Sequence, residues 1–231
     1  LFCMKKVILL QEEQLQNIEN NSICPWLVYE KNYKKKQLLN GIAIITHPIF
    51  LPFFSLLIYY PLVATYSIGT LPLLIGWLTF AYIILPLVYF VKVRKINLAQ
   101  PNLDERKSIF RAYSLVNFGF AMVNIFLVQD YIYFYLAACL LHIFLLGIAF
   151  IELKASWHTA IWSFLLGTGL MMLYQFKRAG TNDDLLLEAL KLLGIILLIV
   201  YFVRWKSKAH TPFELLMGIV IGFLASTPLL L

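Results

Sequence analysis

Near the C-terminus, Arg204, His210 and Glu214 stand between two apolar stretches, the histidine six residues after the arginine and four before the glutamate. A guanidinium, an imidazole and a carboxylate so placed meet the needs of phosphoryl transfer: a cation for the phosphate oxygens, a nucleophile, and a group to orient it. If Pro212 opens a helix, His210 lies just before it and Glu214 in its first turn. The carboxylate then accepts a hydrogen bond from one ring nitrogen, sets the tautomer and leaves the other nitrogen free to attack. A second cluster, Lys154-Ala155-Ser156-Trp157-His158, adds a cation, a hydroxyl and another imidazole.

The elements that must position these groups are set by hydropathy. Of 231 residues, 61% are hydrophobic and 13% charged, with a mean hydropathy of +0.79. Soluble domains carry about a quarter charged residues, so the composition argues against a soluble fold. The apolar residues form long runs rather than amphipathic stripes: Gly41–Thr65, Leu71–Val93, Ile109–Val128, Tyr131–Leu153, Trp157–Phe176, Leu185–Val203 and Pro212–Leu231. Backbone in lipid must satisfy its own hydrogen bonds, so the expected fold is all-α, a polytopic transmembrane helical bundle of six to seven spans. Pro48, Pro52, Pro61 and Pro86 are expected to kink the first two runs rather than break them. The turn at Gln129–Asp130 is short enough to force a tight helical hairpin.

Residues 1–40 differ in composition and read as a polar, amphipathic tail at the membrane surface, followed by the helical domain 41–231. Val7–Leu10 is too short to span and no small-residue cleavage site follows it, so no signal peptide is expected. Trp26, Tyr29 and Tyr33 are suited to headgroup depth. Cys3, Cys24 and Cys139 have neither metal-ligand spacing nor the density of a disulfide scaffold.

Seven spans place the tail, the loop 94–108, the loop at Lys154 and the loop 204–211 on one side. Lys5, Lys6, Lys31, Lys34–Lys36, Arg94, Lys95, Arg106, Lys107, Lys154, Arg204, Lys206 and Lys208 lie there, against Lys177 and Arg178 opposite. The positive-inside rule then makes the basic side, and with it the N-terminus, cytoplasmic; a bacterial inner membrane is the expected location. A basic face beside anionic lipid accounts for the net charge of +7 without nucleic acid. An even number of spans separates the three polar sites, so all reach one face, as a single active site requires.

These residues resemble the type-2 phosphatidic acid phosphatase superfamily, which shares a core with vanadium haloperoxidases. The family's third motif, S-R-x5-H-x3-D, is matched by Arg204, His210 and Glu214, with Val203 for serine and glutamate for aspartate. Its second, P-S-G-H, is matched at Ser156 and His158, with Ala155 and Trp157 in place of proline and glycine. Of its first, K-x6-R-P, only Arg106 remains: Ala99 occupies the lysine position and Lys107 the proline position. The resemblance spans residues 90–220. It implies hydrolysis of lipid phosphates or pyrophosphates through a phosphohistidine on His210, oriented by Glu214. It further implies that His158 protonates the leaving oxygen, that Arg204, Ser156, Arg106 and Lys154 hold the phosphate, and that no cofactor or metal takes part. Members usually have one span fewer and a site facing away from the cytoplasm, and no hairpin separates their first two motifs.

The implied partners are membrane lipids and a lipid phosphate substrate. The alternative is a catalytically inactive phosphatase-like protein, an accessory subunit of a larger membrane complex, for which the eroded first motif speaks. A transporter would need an ionisable path through the midplane, which the runs lack. His47 and His142 match no motif and are expected to hydrogen-bond neighbouring helices.

Overall fold

The computed structural model describes residues 37–39, 41–43, 45–51, 53–55, 79–96, 101–127, 130–180 and 184–230. The chain divides into two compact units, Leu1–Ile42 and Ala43–Leu231. In the first, residues 37–39 and 41–42 are helical. The aromatics Trp26, Tyr29 and Tyr33, the thiols Cys3 and Cys24, and stretches 56–65 and 71–78 of the first two apolar runs lie outside the described residues.

In the second unit every regular element among the described residues is helical. After a 3-10 turn at Pro48–Phe50 come α1 (Phe80–Val93), α2 (Leu103–Leu127), α3 (Asp130–Phe150), α4 (Trp157–Arg178), α5 (Asp184–Lys206) and α6 (Pro212–Ser226). A final 3-10 turn covers Thr227–Leu230. Three segments, Ile132–Phe150, Trp157–Arg178 and Asp184–Lys206, are long and apolar enough to cross a membrane. At 19 to 23 residues each, they approach or exceed roughly 30 Å at about 1.5 Å per residue. On α5, Leu192, Ile195, Leu198, Ile199 and Phe202 stay exposed, an apolar face suited to lipid rather than water.

α4 is the central helix. Its first half, from Trp157 to Leu165, is wholly buried, and it packs against α6, α5 and α3, with the 3-10 turn at Pro48–Phe50 beside it. Small residues let α6 approach. A Cβ on Gly218 would stand 2.5 Å from the Ser156 carbonyl oxygen, and one on Gly222 would lie 2.8 Å from the Phe164 amide. Such close helix crossings are how membrane helices associate where lipid removes the hydrophobic drive. The antiparallel pair α2–α3 packs closely together, and α3 also packs against α6 and α4.

The apolar runs and the helices differ in three places, each for a local reason. In the first run the helix breaks rather than kinks: His47 is extended, with φ −66° and ψ 137°. A residue before proline is sterically pushed out of the α region. Pro86, by contrast, sits inside α1, where the Leu85 amide reaches back to the Phe80 carbonyl and the turns on either side are widened to π geometry. Wider turns absorb the missing proline donor and the clash of its ring. The segment 94–108 is not all loop, because α2 begins at Leu103. Asn102 caps it reciprocally, its Oδ1 accepting from the Glu105 amide at 2.9 Å while its own amide donates to Glu105 Oε2 at 2.7 Å. Finally, α6 ends at Ser226 and not at the chain end, in keeping with Pro228 in the 3-10 turn beyond it.

Candidate active site

Each polar segment is built by a local rule. Thr211 caps α6 with a capping box: its hydroxyl accepts from the Glu214 amide at 3.2 Å, and its amide donates to Glu214 Oε2 at 3.3 Å. The same Oε2 lies 2.8 Å from His210 Nδ1. In the neutral imidazole Nδ1 therefore carries the proton and Nε2 keeps its lone pair. Upstream, α5 closes with a Schellman arrangement in which the Ala209 amide reaches the Arg204 carbonyl and the Lys208 amide the Trp205 carbonyl. Lys208 occupies the left-handed position of that cap, with φ 55°. The chain thus reverses at once after Arg204 and delivers His210 back beside it.

Ser156 caps α4, its side chain accepting from the Thr159 amide. Its own amide donates to the Glu214 carbonyl at 2.9 Å, and the Thr159 hydroxyl donates to the Leu215 carbonyl at 3.0 Å. These bonds tie the beginning of α4 to the beginning of α6. Arg106 extends from the first turns of α2, where Nε donates to the Pro101 carbonyl and a terminal nitrogen to the Ala155 carbonyl, both at 3.2 Å.

The result is a small pocket with a cavity volume of about 20 Å³. Arg106, His158, Arg204 and His210 line it together with the apolar side chains of Ile109, Phe110 and Trp157. That volume is about what one water molecule needs, so a phosphate enters only if lining side chains move aside. His158 and Arg204 are buried, and His158 Nε2 and Arg204 Nε have no hydrogen-bond partner among the described residues. Buried polar atoms without partners are costly, which makes them natural contacts for a polar ligand. Two guanidiniums converge on a pocket whose neighbouring carboxylate, Glu214, is already engaged by His210 and Thr211. That balance favours an anion, and a guanidinium fork matches phosphate oxygens.

Burial pushes the His210 imidazole down to about 4; the hydrogen bond to Glu214 opposes this, and Arg106 and Arg204 add to the depression. At neutral pH the ring is uncharged and its lone pair available. Burial also lowers the Arg106 guanidinium, against the pull of Glu214, and a guanidinium so lowered still carries its charge at neutral pH.

Of the residues singled out in the sequence, Arg106, His158, Arg204 and His210 meet at the pocket, with Glu214 behind His210. Ser156 is fully buried as a helix cap and is not among the lining side chains; Lys154 is exposed and also outside the lining. Two histidines outside the motifs have defined places. His142, on α3, accepts from Trp157 Nε1 at 3.3 Å and lies 2.8 Å from the Ala138 carbonyl, so it braces the tryptophan that forms one wall. His47 packs edge-on to His158, with ring centres 5.2 Å apart. Its only hint in the sequence was a histidine before a proline inside an apolar run, and no spacing rule connects residue 47 to residue 158. Among the described residues no three His, Cys, Asp or Glu side chains gather as metal ligands.

No protein-family model, curated protein or solved structure matches the chain.

Proposed function

We propose that the protein is an integral-membrane lipid phosphate or pyrophosphate phosphatase working through a phosphohistidine. The observation that carries the reading is the convergence of Arg106, His158, Arg204 and His210 on one pocket from the ends of four helices. In the first step His210 Nε2 attacks phosphorus while Arg106 and Arg204 hold the non-bridging oxygens. The P–O bond to the lipid breaks, its electron pair leaves with the oxygen, and a proton from His158 makes the neutral alcohol, or the monophosphate if the substrate is a diphosphate. In the second step His158 takes a proton from water, the resulting hydroxide attacks phosphorus, and the P–N bond breaks to release inorganic phosphate and His210. The apolar wall of Ile109, Phe110 and Trp157 suits the part of an amphiphile next to its phosphate.

The test is phosphate release from a short-chain lipid phosphate by purified protein without added metal, lost in His210→Ala. Wild-type protein inert toward several lipid phosphates and diphosphates would favour the accessory-subunit reading, which the exposed position of Lys154 outside the pocket supports.

The topology that goes with the proposal is a bundle of six to seven spans in a bacterial inner membrane, with the N-terminus and the site on the cytoplasmic side. Impermeant thiol probes on cysteines placed at Lys206 and at Arg178 check it. Labelling of both from the same side rejects this arrangement.

A further inference from the structure

The segment from Ala43 to Leu51 touches α4 at successive points around the candidate general acid. His158 has a hydrogen bond with the Ala43 backbone. Trp162 Nε1, one turn further along α4, donates to the Thr46 carbonyl at 3.1 Å. Directly after Thr46, His47 sets its ring edge-on against both His158, at 5.2 Å and 87°, and Trp157, at 5.7 Å and 80°. The His47 ring is itself fixed, because Nδ1 accepts from the Ile49 amide at 3.2 Å and so caps the 3-10 turn. An imidazole that must hand over a proton at Nε2 needs a fixed ring plane, and nothing on α4 alone supplies one.

We infer that His47 is a positioning residue of the site: its ring, held by the turn at Pro48–Phe50, keeps the His158 imidazole in its orientation at the pocket. The inference rests on the phosphatase reading for its kinetic consequence but not for its geometry. It assigns to the segment before α1 a part in the chemistry that none of the motif residues provides. His47 does not touch the reacting atoms, so its effect falls on turnover and not on phosphate affinity.

Three full-length variants separate the ring from the cap. His47→Asn keeps an acceptor for the Ile49 amide but removes the ring, His47→Phe keeps an edge-on ring but removes the acceptor, and His47→Ala removes both. Small displacements of a catalytic group cost up to about a hundredfold. The expected result is therefore a fall in kcat of about tenfold to a hundredfold for His47→Asn and His47→Ala, with KM within about twofold, and a rate within about threefold of wild type for His47→Phe. Ring-15N histidine spectra of the same proteins in detergent report the His158 environment without turnover. Its signals should move in the Asn and Ala variants and stay near wild type in the Phe variant. Wild-type kcat with unmoved His158 signals in His47→Asn overturns the inference, as does a Phe variant as perturbed as the Ala variant. If wild-type protein releases no phosphate, the phosphatase reading falls, and the spectra alone decide whether His47 orients His158.

Discussion

The backbone of Glu214 accepts a hydrogen bond from the Ser156 amide at 2.9 Å, while its carboxylate lies 2.8 Å from His210 Nδ1. One residue thus joins the start of α4, next to His158, to the orientation of His210. The relative placement of the two imidazoles depends on how closely α4 and α6 pack, and that depends on glycines.

Gly218→Ala puts a methyl group 2.5 Å from the Ser156 carbonyl, on backbone that cannot rotate away. Overpacking of this kind costs about 1–3 kcal/mol, and pushing the helices apart should also lower turnover. Gly194→Ala, whose new Cβ meets nothing within 4 Å, should instead stabilise by up to about 1 kcal/mol through helix propensity. Thermal midpoints in one detergent compare the two; equal midpoints would refute the close-packing account.

Removing the carboxylate has two separable effects. Glu214→Ala deletes the capping-box acceptor, for about 1 kcal/mol of stability, and frees the His210 ring, for a loss in kcat of about a hundredfold or more. Glu214→Gln keeps an oxygen for both hydrogen bonds, so stability should be largely retained and kcat should fall less. Parallel denaturation and phosphate-release assays distinguish them.

The pH dependence follows from the depressed imidazole of His210, held down to about 4 by burial and two arginines against the opposing Glu214 bond. A neutral nucleophile is required, so its acid limb in kcat/KM should lie well below the ordinary histidine value of about 6.5. The linked effect on stability has a definite sign. Between about 6.5 and about 4 the unfolded chain takes up a proton that the folded chain refuses. The favourable state is therefore fully present above pH 6.5, and stability drains away as pH falls towards 4. A thermal midpoint that drops over this window in wild type and less in His210→Gln is the expected outcome.

Lys208 holds a left-handed backbone, φ 55°, at the cap of α5. A side chain there costs roughly 1–2 kcal/mol that glycine avoids. Lys208→Gly should raise stability, by at most about 1 kcal/mol once the greater freedom of the unfolded chain is counted. Because the lysine is exposed and outside the pocket lining, phosphate release should stay within about twofold. A lowered midpoint would show that the lysine side chain contributes more than its backbone strain costs.

Much of the local architecture is legible in the residues themselves. The helix start at Pro212 with Glu214 announces itself, because capping is a contest among neighbours within four residues; the start at Asn102 with Glu105 obeys the same rule but lies in a segment that hydropathy alone reads as loop. The His210–Glu214 pair is legible for the same reason. The apolar run predicts a kink at His47–Pro48 where the chain breaks, since whether a proline bends or ends a helix depends on what receives the freed backbone groups. At Pro86 the helix itself receives them through widened turns; at Pro48 the chain leaves the helix.

Composition and apolar runs alone determine that this chain is helical and suited to lipid, and i,i+4 spacing alone pairs His210 with Glu214. Only the tertiary structure decides that Arg106 and His158 share their pocket, that Ser156 is a cap, that Lys154 stands outside, and that His47 reaches His158. The physical reason is range. Capping and periodicity act over a turn or two of one helix, whereas these placements follow from how closely Gly218 and Gly222 let α6 lie on α4, a contact between surfaces that no spacing within either helix encodes.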